Sequence, residues 1–174
     1  SAPPSVPQLL AHALLLQNVL NVEALSAGVW YVAIDLQLFA LFLGLLWLAR
    51  RTSTALGQGT LSNLRWSLAL VGCVAAASLY HFNLDPSWDA WAVYFFGAYA
   101  FGVFAWWGSN RGASRWWGGT MALMGAGALS LMWRERIAVA LGVALLLWLA
   151  RRARQSVGLR PDLSGAAGRW LGHL

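Results

Sequence analysis

Hydrophobic residues in this chain come in long blocks, separated by short stretches that concentrate arginine, glycine and proline. The clearest block runs from Val29 to Ala49 and stops at Arg50 and Arg51. It contains no proline, and about 20 residues of this kind cross a bilayer core of about 30 Å as one helix. A second block, about Trp66 to Phe82, is rich in the small residues that let helices approach closely. The third, about Trp91 to Trp107, is aromatic, with Gly97 and Gly102 spaced for packing. The fourth, about Trp116 to Trp133, includes Gly125 and Gly127. The fifth, Ile137 to Ala150, is short for a span. It crosses if Arg134 and Arg136 reach back to the interface and the bilayer thins locally.

The connections are a polar loop from Arg50 to Arg65, an acidic turn from Asn83 to Asp89, a loop from Gly108 to Arg115, and Arg134-Glu135-Arg136. Gly57-Gln58-Gly59 reads as a plain turn. Ahead of the first block, Ser1 to Pro7 is proline-rich, and Leu9 to Leu20 is apolar but too short to span. That segment carries His12, Gln17 and Asn18 and reads as an interfacial or re-entrant helix. Asn21 to Gly28, with Glu23, reads as a turn. The pattern predicts an all-α fold, a polytopic transmembrane bundle of about five spanning helices plus a short N-terminal interfacial helix. Residues 1–28 would form an extracytoplasmic segment, 29–150 the five-helix transmembrane region, and 151–174 an Arg-rich cytoplasmic tail leading to a further helix.

Composition strengthens the membrane reading. The chain of 174 residues is 59% hydrophobic and 10% charged, with 12 Trp, where soluble domains carry about 25% charged residues. All 12 basic residues are arginines, giving a net charge of +6. They lie in connections rather than on one basic face, so loop orientation explains them better than nucleic acid does. Arg50, Arg51, Arg65, Arg111, Arg115, Arg151, Arg152, Arg154, Arg160 and Arg169 fall on one side of the predicted bundle, and only Arg134 and Arg136 on the other. The bias puts the first 28 residues outside and the C-terminus in the cytoplasm. An outside N-terminus that opens on Ser1 is expected of an internal piece of a longer polytopic protein. Lone Cys73, in mid-helix, reads as a small buried hydrophobe. No metal-type spacing, Gly-x-Ser-x-Gly elbow or phosphate-binding glycine loop occurs.

Asp35 changes the picture. It sits in Trp30-Tyr31-Val32-Ala33-Ile34-Asp35-Leu36-Gln37-Leu38-Phe39, about 9 Å into the first block at 1.5 Å per residue. A carboxylate within a span costs roughly 2.5–3.5 kcal/mol on insertion scales, so it faces protein or water and as a rule has a function. The competing explanations are a carboxylate that reaches the interface and one bonded only for packing. His12, His81 and His173 are the available bases. His81 closes the second block on the same side as Asp35, although an interfacial histidine beside Asn83 is the plainer reading.

Trp30, Asp35, Gln37 and Phe39 resemble the Trp-Ser-Leu-x-x-Glu-x-Gln-Phe-Tyr-like pattern that opens a central helix in the acyltransferase-3 family of bacterial integral-membrane O-acyltransferases. Here Asp replaces Glu, Phe replaces Tyr, and Tyr31 stands in place of Ser. Leu15-Leu16-Gln17-Asn18-Val19, Leu79-Tyr80-His81-Phe82-Asn83-Leu84-Asp85 and Tyr94-Phe95-Phe96-Gly97-Ala98-Tyr99 also resemble the family's central and late portion. The resemblance implies transfer of an acyl group, commonly acetyl from acyl-CoA (acetyl-CoA), to a cell-surface carbohydrate hydroxyl, without a metal. It implies that Asp35 orients or charges a basic group, and that Trp30, Gln37, His81 and Asn83 line the acceptor site. The family's essential histidine and its Arg-containing motif belong upstream of this portion, and a Ser-Tyr helix would follow Gly172-His173-Leu174.

Acyl transfer to a hydroxyl needs a base within hydrogen-bond reach and donors for the developing oxyanion. A buried carboxylate can hold an imidazole in the required tautomer. Two other readings compete. One is a truncated, non-catalytic homologue acting as a structural subunit among other membrane subunits. The other is half of a transporter in which Asp35 binds an ion, although no inverted repeat supports it. Lipid bilayer and a carbohydrate acceptor are the expected partners, and nucleic acid is not.

Overall fold

A computed structural model describes residues 27–57, 60–110 and 116–156. Among them every regular element is helical: α1 Ala27–Ala55, α2 Thr60–Tyr80, 3₁₀ turns Phe82–Leu84 and Pro86–Trp88, α3 Ala92–Gly108, α4 Trp116–Leu131 and α5 Glu135–Ser156. Trp30–Ala55 and Ser62–Leu84 are long and apolar enough to cross a membrane, and Ala92–Gly108 is a shorter apolar helix. The segment Leu9 to Leu20 and the tail from residue 157 onward lie outside the described residues.

α1, α2 and α5 are longer than their apolar blocks because arginine does not end them. α1 continues past Arg50 and Arg51, and α5 contains Arg151, Arg152 and Arg154. Arginine is among the better helix formers. Its guanidinium also finds an aromatic ring at these ends: Arg51 lies over Trp47 at 5.1 Å, Arg152 over Trp148 at 5.3 Å, and Arg151 over Trp106 at 4.0 Å. Thr52 and Thr54 donate their hydroxyls to the carbonyls of Leu48 and Arg50, so they too stay within the helix. α1 ends at Ala55, two residues before Gly57, whose φ of +64° suits the residue type that tolerates left-handed backbone. The predicted loop from Arg50 to Arg65 thus shrinks to residues 56–59, and the fifth helix grows to 22 residues. Glu135 in its first turn and Arg154 in its last complement the helix dipole.

α3 is the centre of the bundle and packs on all four other helices. Phe96, Ala100, Phe101, Phe104 and Ala105 are buried along it, and the same core takes in Ile34, Leu38, Val71, Leu79, Met121 and Ile137. Gly97 lets α3 approach α2 closely: a Cβ there would lie 2.6 Å from Leu79 Cδ2 and 3.3 Å from the Ala75 carbonyl oxygen. Gly97 N–H also donates to buried Ser78 Oγ at 2.8 Å. Gly102, by contrast, has nothing within 4 Å of its would-be Cβ and faces outward, so it does not serve packing. Trp107, expected as an interface anchor, packs inward on Phe42 and Phe104.

Two ends follow from this antiparallel arrangement. One is rich in arginine, where Trp148 Nε1 donates to the Gly108 carbonyl at 3.0 Å and Gln155 Nε2 donates to the Ser109 carbonyl. These bonds satisfy the last carbonyls around the α3 C-terminus. At the other, the turn end, Asp85 accepts from Ser87 N–H at 2.9 Å and Pro86 opens the second 3₁₀ turn. That backbone bond, helped by the Ser87 hydroxyl and nearby His81, holds the Asp85 carboxyl below the usual aspartate value.

Candidate functional site

The motif on α1 splits between two faces. Trp30 and Gln37 are half-buried, with Ala33, Ile34 and Leu38 buried near them on the inward side, whereas Asp35 is exposed. Helical geometry requires this, because residues two apart are turned by about 200° and residues seven apart return to the same side. Asp35 is therefore not the buried acid that the resemblance implied. Among the described residues it has no ion pair or hydrogen bond, and nothing joins it to His81. His81 is exposed beyond the end of α2 and meets Phe82 edge-on at 5.0 Å. The His81–Asp35 pairing is absent from the described structure.

Gln37 has a different task from the one expected. Its Oε1 accepts the backbone N–H of Ala92, the first residue of α3, at 3.2 Å. Trp91, the N-cap of α3, makes no side-chain cap bond of its own. Gln37 thus caps a neighbouring helix, satisfying one of the N–H groups a helix start leaves open. Trp30 meets Phe95 edge-on at 5.9 Å and so anchors the same end of α1 against α3.

Asn83 leads to the residues that sequence reasoning missed. It lies in the first 3₁₀ turn with 1% of its surface exposed. Its backbone oxygen accepts from Arg134 Nη2 at 3.4 Å, and its Oδ1 accepts from Arg136 Nη2. Arg136 also lies over the rings of Tyr94, at 4.0 Å, and Phe95, at 4.7 Å. Phe95 is the ring that Trp30 touches, so Trp30, Asn83 and Arg136 form one cluster with Tyr94 and Phe95 at the turn end.

Donors outnumber acceptors there. Among the described residues neither arginine has an acidic partner, and Asn83 Nδ2 and Arg134 Nε are buried without a bond. Gln37 Nε2, at the same end, is also buried and unbonded. In sequence, Arg134-Glu135-Arg136 looked like a connection whose arginines only reach for the interface. The signal for more was their position, as the two arginines on the otherwise arginine-poor side. No group of His, Cys, Asp and Glu among the described residues is arranged to hold a metal.

The described groups can bind and orient an anion or an oxygen-rich ligand at the turn end. No general base stands beside Asp35 among them. No protein family, curated protein or solved structure matches the chain.

Proposed function

We propose that the chain is part of a bacterial inner-membrane O-acyltransferase that moves an acyl group, acetyl in the simplest case, from acyl-CoA to a cell-surface carbohydrate hydroxyl. The observation that carries this reading is Asp35, an ionisable residue on an outward face of α1 that is otherwise apolar. Tyr31 is 63% exposed, Phe39 52% and Trp47 60%, a surface suited to lipid or to further helices rather than to water. A carboxylate on such a surface requires a partner, and in the transferase reading that partner is the basic group that activates the acceptor hydroxyl. The resemblance in order and spacing from Trp30 to Phe39, and from Leu79 to Tyr99, supplies the reaction type. In this reading the arginine-rich end faces the cytoplasm and the acyl-CoA, and the turn end faces the acceptor.

A second reading, a non-catalytic helical subunit of a larger membrane assembly, is favoured by two observations. Gln37 is engaged as a helix cap and His81 stands apart from Asp35. In that case the outward face of α1 docks another subunit. The two readings part on one experiment. In native membranes supplied with labelled acetyl-CoA, Asp35→Asn is expected to lower carbohydrate acetylation on the order of 10²-fold or more, while the variant inserts and accumulates normally. Unchanged acetylation removes Asp35 from the reaction, and no acetylation by the unaltered protein favours the subunit.

A further inference from the structure

The turn end holds two arginines without an acidic partner among the described residues and buried donor atoms left without a bond. Arg134 and Arg136 are half-buried and converge on Asn83, one on its backbone oxygen and the other on its Oδ1. Arg136 lies over the rings of Tyr94 and Phe95 while its Nη2 bonds Asn83 Oδ1. Asn83 is 1% exposed, yet its Nδ2 has no acceptor, and Arg134 Nε is likewise buried and unbonded. A buried donor left unpaired is unfavourable, and an arginine held against rings without a carboxylate is an anion site in waiting. Asp35, Asp85, Asp89 and Glu135 are the described acids toward this end, all exposed, and none forms an ion pair with either arginine.

We propose that Arg134, Arg136 and the Asn83 amide form a binding site for a phosphate group. A phosphate offers several acceptor oxygens to a set whose unbonded buried atoms are donors, and planar guanidinium forks match its geometry. The proposal stands apart from the acyl-transfer reading. If both hold, the site selects a phosphate-bearing acceptor. The phosphate could belong to a lipid headgroup or to a soluble sugar phosphate, and the chemistry recognised is the same.

The test uses the purified protein in a maltoside detergent that contains no phosphorus. Inorganic phosphate, glucose 1-phosphate and short-chain phosphatidic acid are titrated in turn, against chloride at matched ionic strength, with thermal unfolding and tryptophan fluorescence as readouts. At least one of the three is expected to bind saturably and raise the melting temperature. Phosphatidic acid alone points to a headgroup, and glucose 1-phosphate or phosphate to a soluble source. Arg134→Gln and Arg136→Lys are expected to weaken that binding at least tenfold, with Arg50→Gln at the opposite end as the unaffected control. Asn83→Asp places the chain's own carboxylate beside Arg136. It is expected to abolish phosphate binding while the protein without ligand remains folded and melts no lower than the unaltered protein. No effect beyond chloride, or equal binding in the Arg134 and Arg136 variants, overturns the proposal.

Discussion

Replacing Gly97 with alanine isolates the close approach of α3 to α2 as one number. The added Cβ would lie 2.6 Å from Leu79 Cδ2 and 3.3 Å from the Ala75 carbonyl oxygen. The second contact is backbone and cannot rotate away, and Leu79 is 1% exposed, so its side chain has little room to yield. Overpacking of this kind costs about 1–3 kcal/mol. Alanine's better helix propensity offsets about 1 kcal/mol, leaving a net loss of about 0–2 kcal/mol. The control is Gly102→Ala in the same helix, where a Cβ meets nothing within 4 Å. There only the propensity term acts, for a gain of about 0.5–1 kcal/mol. The propensity term cancels between the two variants, so their difference reports the steric term, about 1–3 kcal/mol. Reversible unfolding in mixed detergent micelles measures both. Leu79→Ala combined with Gly97→Ala should cost less than the sum of the single changes, because the new methyl enters the space that leucine vacates. Equal stability of Gly97→Ala and Gly102→Ala would refute the close packing of α2 on α3.

Three further predictions follow from individual bonds. Gln37→Leu removes the cap on Ala92 N–H and should lower stability by about 0.5–2 kcal/mol in the same unfolding assay. Trp148→Phe keeps a ring but loses the bond to the Gly108 carbonyl, and should cost about 1 kcal/mol while preserving helix content by circular dichroism. The Asp85 carboxyl is held below its usual value by Ser87 N–H, so its contribution to folding is present above the unfolded-state value and is lost as the pH falls through the lower folded value. A carbon-detected NMR titration should find the Asp85 carboxyl below the usual aspartate value, and Ser87→Pro, which removes the donor, should raise it.

The sequence made α3 legible because its aromatic block coincides with the helix that every other helix touches. The helix ends are less legible at arginines, where charge reads as a stop although the helix continues. Trp47-x-x-x-Arg51 and Trp148-x-x-x-Arg152 carry the opposite message: spaced four apart, each ring lies beside the guanidinium one turn later, and the helix continues. The divergence of Asp35 from Gln37 was also readable, since two helix positions two apart face opposite ways. The cluster of Asn83 with Arg134 and Arg136 was not readable. It joins residues about fifty positions apart through the packing of α5 against the turn after α2, and no local spacing encodes such a meeting.

In the transferase reading an acyl group passes from one end of the bundle to the other. The direct measurement uses sealed membrane vesicles of known orientation, with labelled acetyl-CoA supplied to one face at a time. Label is expected in carbohydrate on the far face when the arginine-rich end meets the acetyl-CoA, and this labelling should be lost with Asp35→Asn. Labelling that never depends on this protein, in either orientation, would contradict the transferase reading.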